Sequence, residues 1–298
     1  MSAPTGWTGD LAPEGFENDL REELGEVALA HGRLLFAAGP PRAAAWAQNV
    51  WFEPVRIEVA SIGEAATALR AIQRNWAFYG TGQFRRAKLI EARLPPLRAK
   101  PHPYPNPAPA APLGSWTLLD ANTLIASGRC SSPFAHGEVT FVEDKATPPN
   151  RAYLKLWELF TLLGTRPKPG ELCIDLGASP GGWSWVLHET GASVLAVDKA
   201  PLAPAVAALP RIESRRESAF ALPPTPCDWL FSDVICYPSR LLALVRRWLE
   251  AGAAKRMVCS VKFQGPTDHA IVREFAAIPG ARLMHLHHNK HELTWFKL

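Results

Sequence analysis

Apolar residues recur at helical spacing over residues 17–29 and 63–76, and short apolar runs at 33–37 and 50–59 read as strands. Two further runs, 116–119 and 123–126, flank Asp120-Ala121-Asn122 and predict a hairpin, with 139–142 as another short strand candidate. Helices and strands mixed in this way predict a small α+β module. From residue 150 the pattern becomes more regular. Apolar strands at 172–174, 194–197, 229–231 and 257–261 alternate with helical segments near 182–190, 237–251 and 267–277, and strands at 282–286 and 293–296 follow. This alternation predicts an α/β, Rossmann-like, doubly wound and mostly parallel sheet, which takes its ligands at the carboxyl ends of the strands.

Two proline-rich breaks organise the chain. Residues 95–112 hold eight prolines, so they form neither helix nor central strand and read as an extended loop of the first module. Thr147-Pro148-Pro149-Asn150 precedes a strong helical pattern, with Asn150 as the expected N-cap. The predicted domains are therefore 1–149 and 150–298.

Composition narrows the class. With 47% hydrophobic and 20% charged residues in 298, the chain has the makings of globular cores and is not wholesale disordered. The net charge of +4 is carried by residues 150–298, whereas the first 149 are marginally acidic; a basic second half suits a polyanionic partner. Cys130, Cys173, Cys227, Cys236 and Cys259 are scattered without a Cys-x-x-Cys pair, which argues against a disulfide framework and a structural zinc site. The first ten residues lack a basic-then-apolar leader, and the longest apolar stretch near the start is broken at His31-Gly32-Arg33; the expectation is a cytoplasmic protein.

The strongest local signal is Cys173-Ile-Asp-Leu-Gly-Ala-Ser-Pro-Gly-Gly-Trp183, which follows a strand and opens a helix. Gly177, Gly181 and Gly182 permit a tight turn and close approach of a ligand to the backbone. Ser179 stands where a dinucleotide loop has its middle glycine, which disfavours a pyrophosphate cofactor. Asp198 closes the next strand, where a carboxylate can accept from both ribose hydroxyls of an adenosine. Taken singly, each feature is also what an ordinary tight turn or a strand-end cap would show; their spacing together favours a nucleoside site.

Asp-Leu-Gly-x-x-Pro-Gly-Gly-Trp resembles the cofactor loop of FtsJ-type RNA ribose 2'-O-methyltransferases. The resemblance implies S-adenosylmethionine as cofactor, held by Asp175, Gly177, Ser179, Pro180, Gly181, Gly182, Trp183, Asp198, Ser218 and Asp233. It also implies a Lys-Asp-Lys-Glu tetrad: Lys155 in Asn-Arg-Ala-Tyr-Leu-Lys-Leu, Asp233 in Leu-Phe-Ser-Asp, Lys262 in Cys-Ser-Val-Lys-Phe and Glu292 in Lys-His-Glu-Leu-Thr. Ser132-Pro133-Phe134 and Gly15-Phe16-Glu17 resemble the RlmM-like branch, which acts on large-subunit ribosomal RNA and implies an N-terminal THUMP-like RNA-binding domain. One departure is Ser218, where the family usually has an Asp holding the adenine amino group; Ser218 can still accept one hydrogen bond.

A ribose hydroxyl is a poor nucleophile until a positioned base draws its proton away, and a lysine can do so only when neutral. A second cation nearby lowers its pKa, so Lys262 is the expected base, with Lys155, Asp233 and Glu292 tuning and orienting it. His285, His287, His288 and His291 invite a metal reading, but no familiar ligand spacing completes it; they read as structural or RNA-facing, with no metal expected. Arg85, Arg86 and Lys88, with Arg93, Arg98 and Lys100, gather beside Trp76, Phe78, Tyr79 and Phe84. Such a group can bind RNA through phosphates and stacked bases, or can be a solvated helix face over core aromatics. Three function classes follow: an RNA 2'-O-methyltransferase, which the tetrad favours; a methyltransferase on a base or small molecule; and a catalytically silent RNA-binding protein.

Overall fold

A computed structural model of the protein describes residues 6–97 and 100–298; Arg98 of the basic group and the first five residues lie outside them. The chain divides into two compact units, Met1–His102 with Pro107–Thr140, and Pro103–Asn106 with Phe141–Leu298.

The first unit contains β1 (Trp7–Leu11), α1 (Glu17–Leu24), β2 (Leu29–His31), β3 (Leu34–Ala38), β4 (Asn49–Phe52) and β5 (Val55–Glu58). It continues with α2 (Ile62–Ile72), β6 (Trp76–Phe78), α3 (Phe84–Glu91), β7 (Gly114–Leu118), β8 (Thr123–Ser127) and β9 (Arg129–Cys130). These strands form a five-stranded sheet, β2-β3-β1-β4-β9, and a four-stranded sheet, β5-β8-β7-β6. Alternate strand residues supply two apolar clusters. Phe36, Trp51 and Tyr79 centre one, and Trp76, Trp116 and Leu69 the other.

Several boundaries differ from the periodic expectation, each for a local reason. The first helix stops at Leu24 because Gly25 takes φ +71° and turns its N–H back to the Arg21 carbonyl; residues 29–31 then become a strand. The second stops at Ile72 because Gln73 is extended, which places Trp76 on β6. The run 50–59 breaks at Glu53 (φ +49°) before Pro54, and its halves join different sheets. Residues 123–127 and 114–118 pair antiparallel as the hairpin signal requires, but 139–142 makes only an isolated bridge at Phe141.

The second unit contains α4 (Tyr153–Leu163), β10 (Leu172–Leu176), α5 (Gly182–Glu189), β11 (Ser193–Val197), α6 (Pro204–Ala207) and β12 (Ile212–Arg215). Then come β13 (Cys227–Ser232), α7 (Pro238–Glu250), β14 (Ala254–Lys262), α8 (His269–Ala276), β15 (Ala281–Met284) and β16 (Glu292–Lys297). Its sheet runs β12-β11-β10-β13-β14-β16-β15, with every pair through β14 parallel and β16 antiparallel to both neighbours. The strand order reverses beside β10, which opens a crevice over the carboxyl ends of β10 and β13.

The helix after the second proline break begins at Tyr153 with Ala152 as its N-cap, not at Asn150. The Asn150 Oδ1 instead accepts from Ala152 N–H at 3.1 Å and braces the turn before the helix. Residues 141–149 pack with this helix: Phe141 meets Trp157 edge-on at 5.7 Å, and Tyr153 Oη donates to the Asp144 carbonyl at 3.0 Å. The described part of the proline-rich stretch has no helix or strand beyond a bridge at His102, and its residues 103–106 belong to the second unit because Tyr104 stacks on Trp157 at 4.6 Å.

Candidate active site

Helix α4 is buried on nearly every face from Tyr153 to Thr161, so the two charged residues it carries there, Lys155 and Glu158, must find partners inside the fold. Lys155 Nζ donates to Asp233 Oδ1 at 2.8 Å and to Glu292 Oε1 at 2.9 Å. Asp233 follows β13, and Glu292 opens β16 directly opposite Lys262, the last residue of β14. Lys262 Nζ lies 3.1 Å from the same Asp233 Oδ1 and donates to the Asp233 carbonyl oxygen at 2.5 Å. The structure therefore brings Lys155, Asp233, Lys262 and Glu292 into one hydrogen-bonded cluster, although they come from a helix, two parallel strands and one antiparallel strand.

The electrostatics assign states to two members. Burial works against the Lys155 ammonium, but the Asp233 and Glu292 carboxylates outweigh it and raise its pKa above the ordinary lysine value. Burial likewise opposes ionisation of Asp233, yet the Lys155 and Lys262 ammonium groups hold its carboxyl below the usual range. At neutral pH Lys155 is an ammonium and Asp233 a carboxylate.

The glycine loop lies beside this cluster. Asp233 N–H donates to the Leu176 carbonyl at 3.1 Å, which ties the end of β13 to the end of β10. Gly177 follows with φ +78°, and a Cβ there would come within 2.7 Å of the Val234 backbone, so both conformation and space demand glycine. Gly181 (φ +117°) faces Val206 closely, and a Cβ at Gly182 would collide with Asn150 Oδ1. Pro180 accepts from Ala203 N–H at 2.9 Å through its carbonyl. Asp198 takes Ser179 N–H at 3.0 Å on one oxygen and Ala200 N–H at 2.9 Å on the other, which pins the loop to the end of β11. In the turn after β12, Ser218 Oγ accepts from Phe220 N–H at 3.3 Å.

Two loop residues expected to touch a cofactor point into the protein. Trp183 is buried and donates its indole N–H to the Ala152 carbonyl at 3.0 Å, so it braces the start of α4, with Lys155 Nζ 5.7 Å from its ring centroid. Asp175 is fully buried; its Oδ2 accepts from Ser184 Oγ at 2.6 Å, and its Oδ1 has no hydrogen-bond partner. Burial, with the Asp233 and Asp198 charges adding to it, pushes the Asp175 carboxyl up to about 7 against the Ser184 hydrogen bond.

Glu158 is the residue that motif reasoning missed. One turn beyond Lys155, its buried carboxylate accepts from His287 N–H at 2.7 Å, from His288 N–H at 3.0 Å and from His288 Nδ1 at 2.7 Å. A carboxylate in an otherwise apolar helical run, three residues from a functional lysine, was the available signal. The same contacts explain much of the histidine group. Burial lowers the His285 pKa to about 4 and keeps its ring neutral, and its Nε2–H donates to the Lys290 carbonyl at 3.1 Å; His291 Nε2 lies 2.9 Å from Thr267 Oγ1. Among the described residues, no three His, Cys, Asp or Glu side chains are grouped as metal ligands.

In the first unit, Arg85 and Lys88 lie exposed on α3 and Arg86 is half-buried. The aromatics split. Trp76 and Tyr79 are core residues, with Trp76 Nε1 donating to the Gln73 carbonyl at 2.8 Å and Tyr79 Oη accepting from Arg33 N–H at 2.7 Å; Phe78 packs against the same core. Phe84 alone of the four is a surface side chain, at 63% exposure.

A parallel sheet with one reversed strand, a glycine loop at its switch point and paired lysines around a carboxylate make up a mixed α/β methyltransferase fold. Residues 148–265, all within the second unit, match the model of the FtsJ-like methyltransferase family. More particularly, the chain is similar to proteins named ribosomal RNA large subunit methyltransferase M. It is 39% identical over 155 residues to that of Halorhodospira halophila, covering 49% of this chain and 46% of the relative. It is 34% identical over 164 residues to that of Aromatoleum aromaticum, covering 49% and 45%. The chain thus spans about half the length of the curated relatives it matches. Among solved structures, a ribosomal RNA methyltransferase from Plasmodium falciparum aligns with 15% identity and a TM-score of 0.38, covering 49% of this chain and 94% of that one.

Proposed function

We propose that the protein is an S-adenosylmethionine-dependent RNA 2'-O-ribose methyltransferase acting on large-subunit ribosomal RNA, and hence in the cytoplasm. The observation that carries this reading is the meeting of Lys155 and Lys262 on one oxygen of Asp233, with Glu292 completing the set. Methyl transfer to a base or small molecule does not require paired lysines, whereas an unactivated ribose hydroxyl does require a base.

The residues present fit the cofactor. Gly177, Ser179 and Pro180 are partly open at the carboxyl end of β10, where a ligand can meet the loop backbone, and a buried Asp175 oxygen lies unpartnered under the loop. Gly177, Ser179, Pro180, Gly181 and Gly182 would hold it, with Asp198 and Ser218 toward its adenosine and Asp233 toward its methyl end. Bound there, it supplies an electrophilic methyl group for in-line displacement. Lys155, kept as an ammonium by two carboxylates, cannot take a proton and acts as a fixed positive charge. Lys262 is the remaining amine; in its neutral form it takes the 2'-hydroxyl proton and becomes the ammonium that Asp233 holds. Asp233 holds both amines in place, and Glu292 anchors Lys155 from the other side.

The first unit is assigned as the RNA-binding, THUMP-like domain and the second as the methyltransferase domain. Supporting this, α3 presents Arg85 and Lys88 beside exposed Phe84 and Leu89, a face able to meet phosphates and bases, with half-buried Arg86 beneath it.

Incubation with labelled S-adenosylmethionine and deproteinised ribosomal RNA, followed by nuclease digestion, tests the reading. A labelled 2'-O-methyl nucleoside is expected. A base-methylated product, or no transfer by a protein that binds the cofactor, would overturn it.

A further inference from the structure

Of all large apolar side chains among the described residues, the most exposed are Ile235 at 79% and Tyr237 at 66%. Both lie on the short connection that starts at Asp233 and ends at the first turn of α7. The connection alternates: Ile235 and Tyr237 face out, whereas Cys236 and Pro238 are buried. With the chain bent at Cys236, burial of Cys236 and Pro238 leaves Ile235 and Tyr237 as neighbouring exposed side chains. Nor is the segment a loose tip. Asp233 N–H is held by the Leu176 carbonyl at 3.1 Å, and the Tyr237 carbonyl accepts from Arg240 N–H at 3.0 Å.

Chain geometry keeps this face close to the lysine cluster. Two residues span at most about 7 Å and four about 14 Å, so Ile235 and Tyr237 stand within one or two nucleotide lengths of Asp233. Basic side chains stand at both ends of the segment. Lys262 Nζ binds Asp233 at the near end, and exposed Arg240, at the far end, lies with its guanidinium 3.8 Å from the Phe220 ring centroid. A flat aromatic and a branched aliphatic framed by cations suit the face of an unpaired base whose phosphates lie alongside.

We propose that Ile235 and Tyr237 form a stacking platform for an unstacked base of the RNA strand that delivers its ribose to Lys262. The proposal rests on the RNA methyltransferase reading above and names the part of the substrate that this surface grips. Because both side chains project into solvent, their replacement leaves the core intact.

The test compares the full-length wild-type chain, the double variant Ile235→Ala/Tyr237→Ala and the single variant Tyr237→Trp. Three readouts are taken: affinity for single-stranded RNA carrying 2-aminopurine, KM for deproteinised ribosomal RNA, and affinity for S-adenosylmethionine. The platform predicts that the double variant loses about 5- to 100-fold in RNA affinity and KM, the usual worth of a stacked base, with cofactor affinity unchanged. Tyr237→Trp restores binding, and 2-aminopurine emission is quenched by wild type and Tyr237→Trp but not by the double variant. If the double variant methylates RNA with wild-type KM, the platform is wrong and the methyltransferase reading stands. If the wild-type chain transfers methyl groups only to acceptors other than RNA, that reading fails and the platform with it. If the substitutions abolish self-association while RNA affinity is unchanged, the surface belongs to a second copy of the chain and the proposal is overturned.

Discussion

Glu158 and His288 are joined twice: the buried carboxylate accepts from both the backbone N–H and the ring Nδ1 of the histidine. The consequence reaches beyond the pair. Glu158 lies one helical turn from Lys155, and His288 lies on the loop that runs into Glu292, so the clamp sets where Glu292 meets Lys155. Glu158→Ala strands two backbone N–H groups in a buried setting, at about 1–3 kcal/mol for each group left unpaired. Chemical denaturation should show a loss of that order, with Glu158→Gln losing less because its carbonyl oxygen still accepts. A stability equal to wild type in the alanine variant would show that the loop does not depend on the clamp.

The Lys155–Glu292 contact predicts non-additive energetics. Lys155→Met leaves the buried Glu292 carboxylate without its cation, while Asp233 keeps Lys262, whereas Lys155→Met with Glu292→Gln removes that unpaired charge. The double variant should therefore be more stable than the sum of the single losses allows, by about 0.5–3 kcal/mol. A double-mutant cycle in urea measures this without reference to catalysis, and strict additivity would contradict the geometry.

For the proposed chemistry, Lys262→Ala should keep S-adenosylmethionine affinity within a few-fold while methyl transfer falls at least about 100-fold, the usual worth of a positioned base. Isothermal titration and a filter-binding assay give the two numbers. Near-normal turnover would remove Lys262 from that role.

Asp175 ties stability to pH. Its folded pKa of about 7 lies above the ordinary aspartate value of 3.8, so the native state holds the proton more tightly than the unfolded chain. The resulting stability is complete below about pH 4 and is lost as pH rises through about 7. Asp175→Asn keeps an acceptor for Ser184 and cannot ionise. Between pH 5 and 8, the wild-type melting temperature should therefore fall by more than that of Asp175→Asn, and parallel curves would rule out a neutral Asp175.

Gly177→Ala should both destabilise the second unit and weaken cofactor binding, because φ +78° strains any side-chain residue and the added methyl would lie 2.7 Å from the Val234 backbone. A penalty of about 1–2 kcal/mol from backbone conformation alone is expected, before the collision is counted. Thermal melting and cofactor titration report on the two effects separately.

Much of the second unit was legible in the sequence because its signals are local. Buried parallel strands read as short apolar runs, a glycine-rich turn between strand and helix marks the switch point, and each member of the lysine cluster carries its own motif. The first unit was less legible. Helix ends there depend on single residues such as Gly25 and Gln73, and a continuous run at 50–59 is shared between two sheets by a left-handed Glu53.

The sequence by itself determined the strand and helix order of the second unit and the residues that could do chemistry, since periodicity and residue type are properties of the chain. Only the tertiary structure decided which of those residues face one another. Lys155 and Lys262 meet on Asp233 because a buried helix and two strand ends converge there, and Glu292 joins them because β16 runs against β14 and sets Glu292 opposite Lys262. The structure also turned Trp183 and Asp175 inward and revealed the Glu158 clamp. It left Ile235 and Tyr237 in solvent, since burial is fixed by packing between elements distant in sequence and not by the identity of a residue alone.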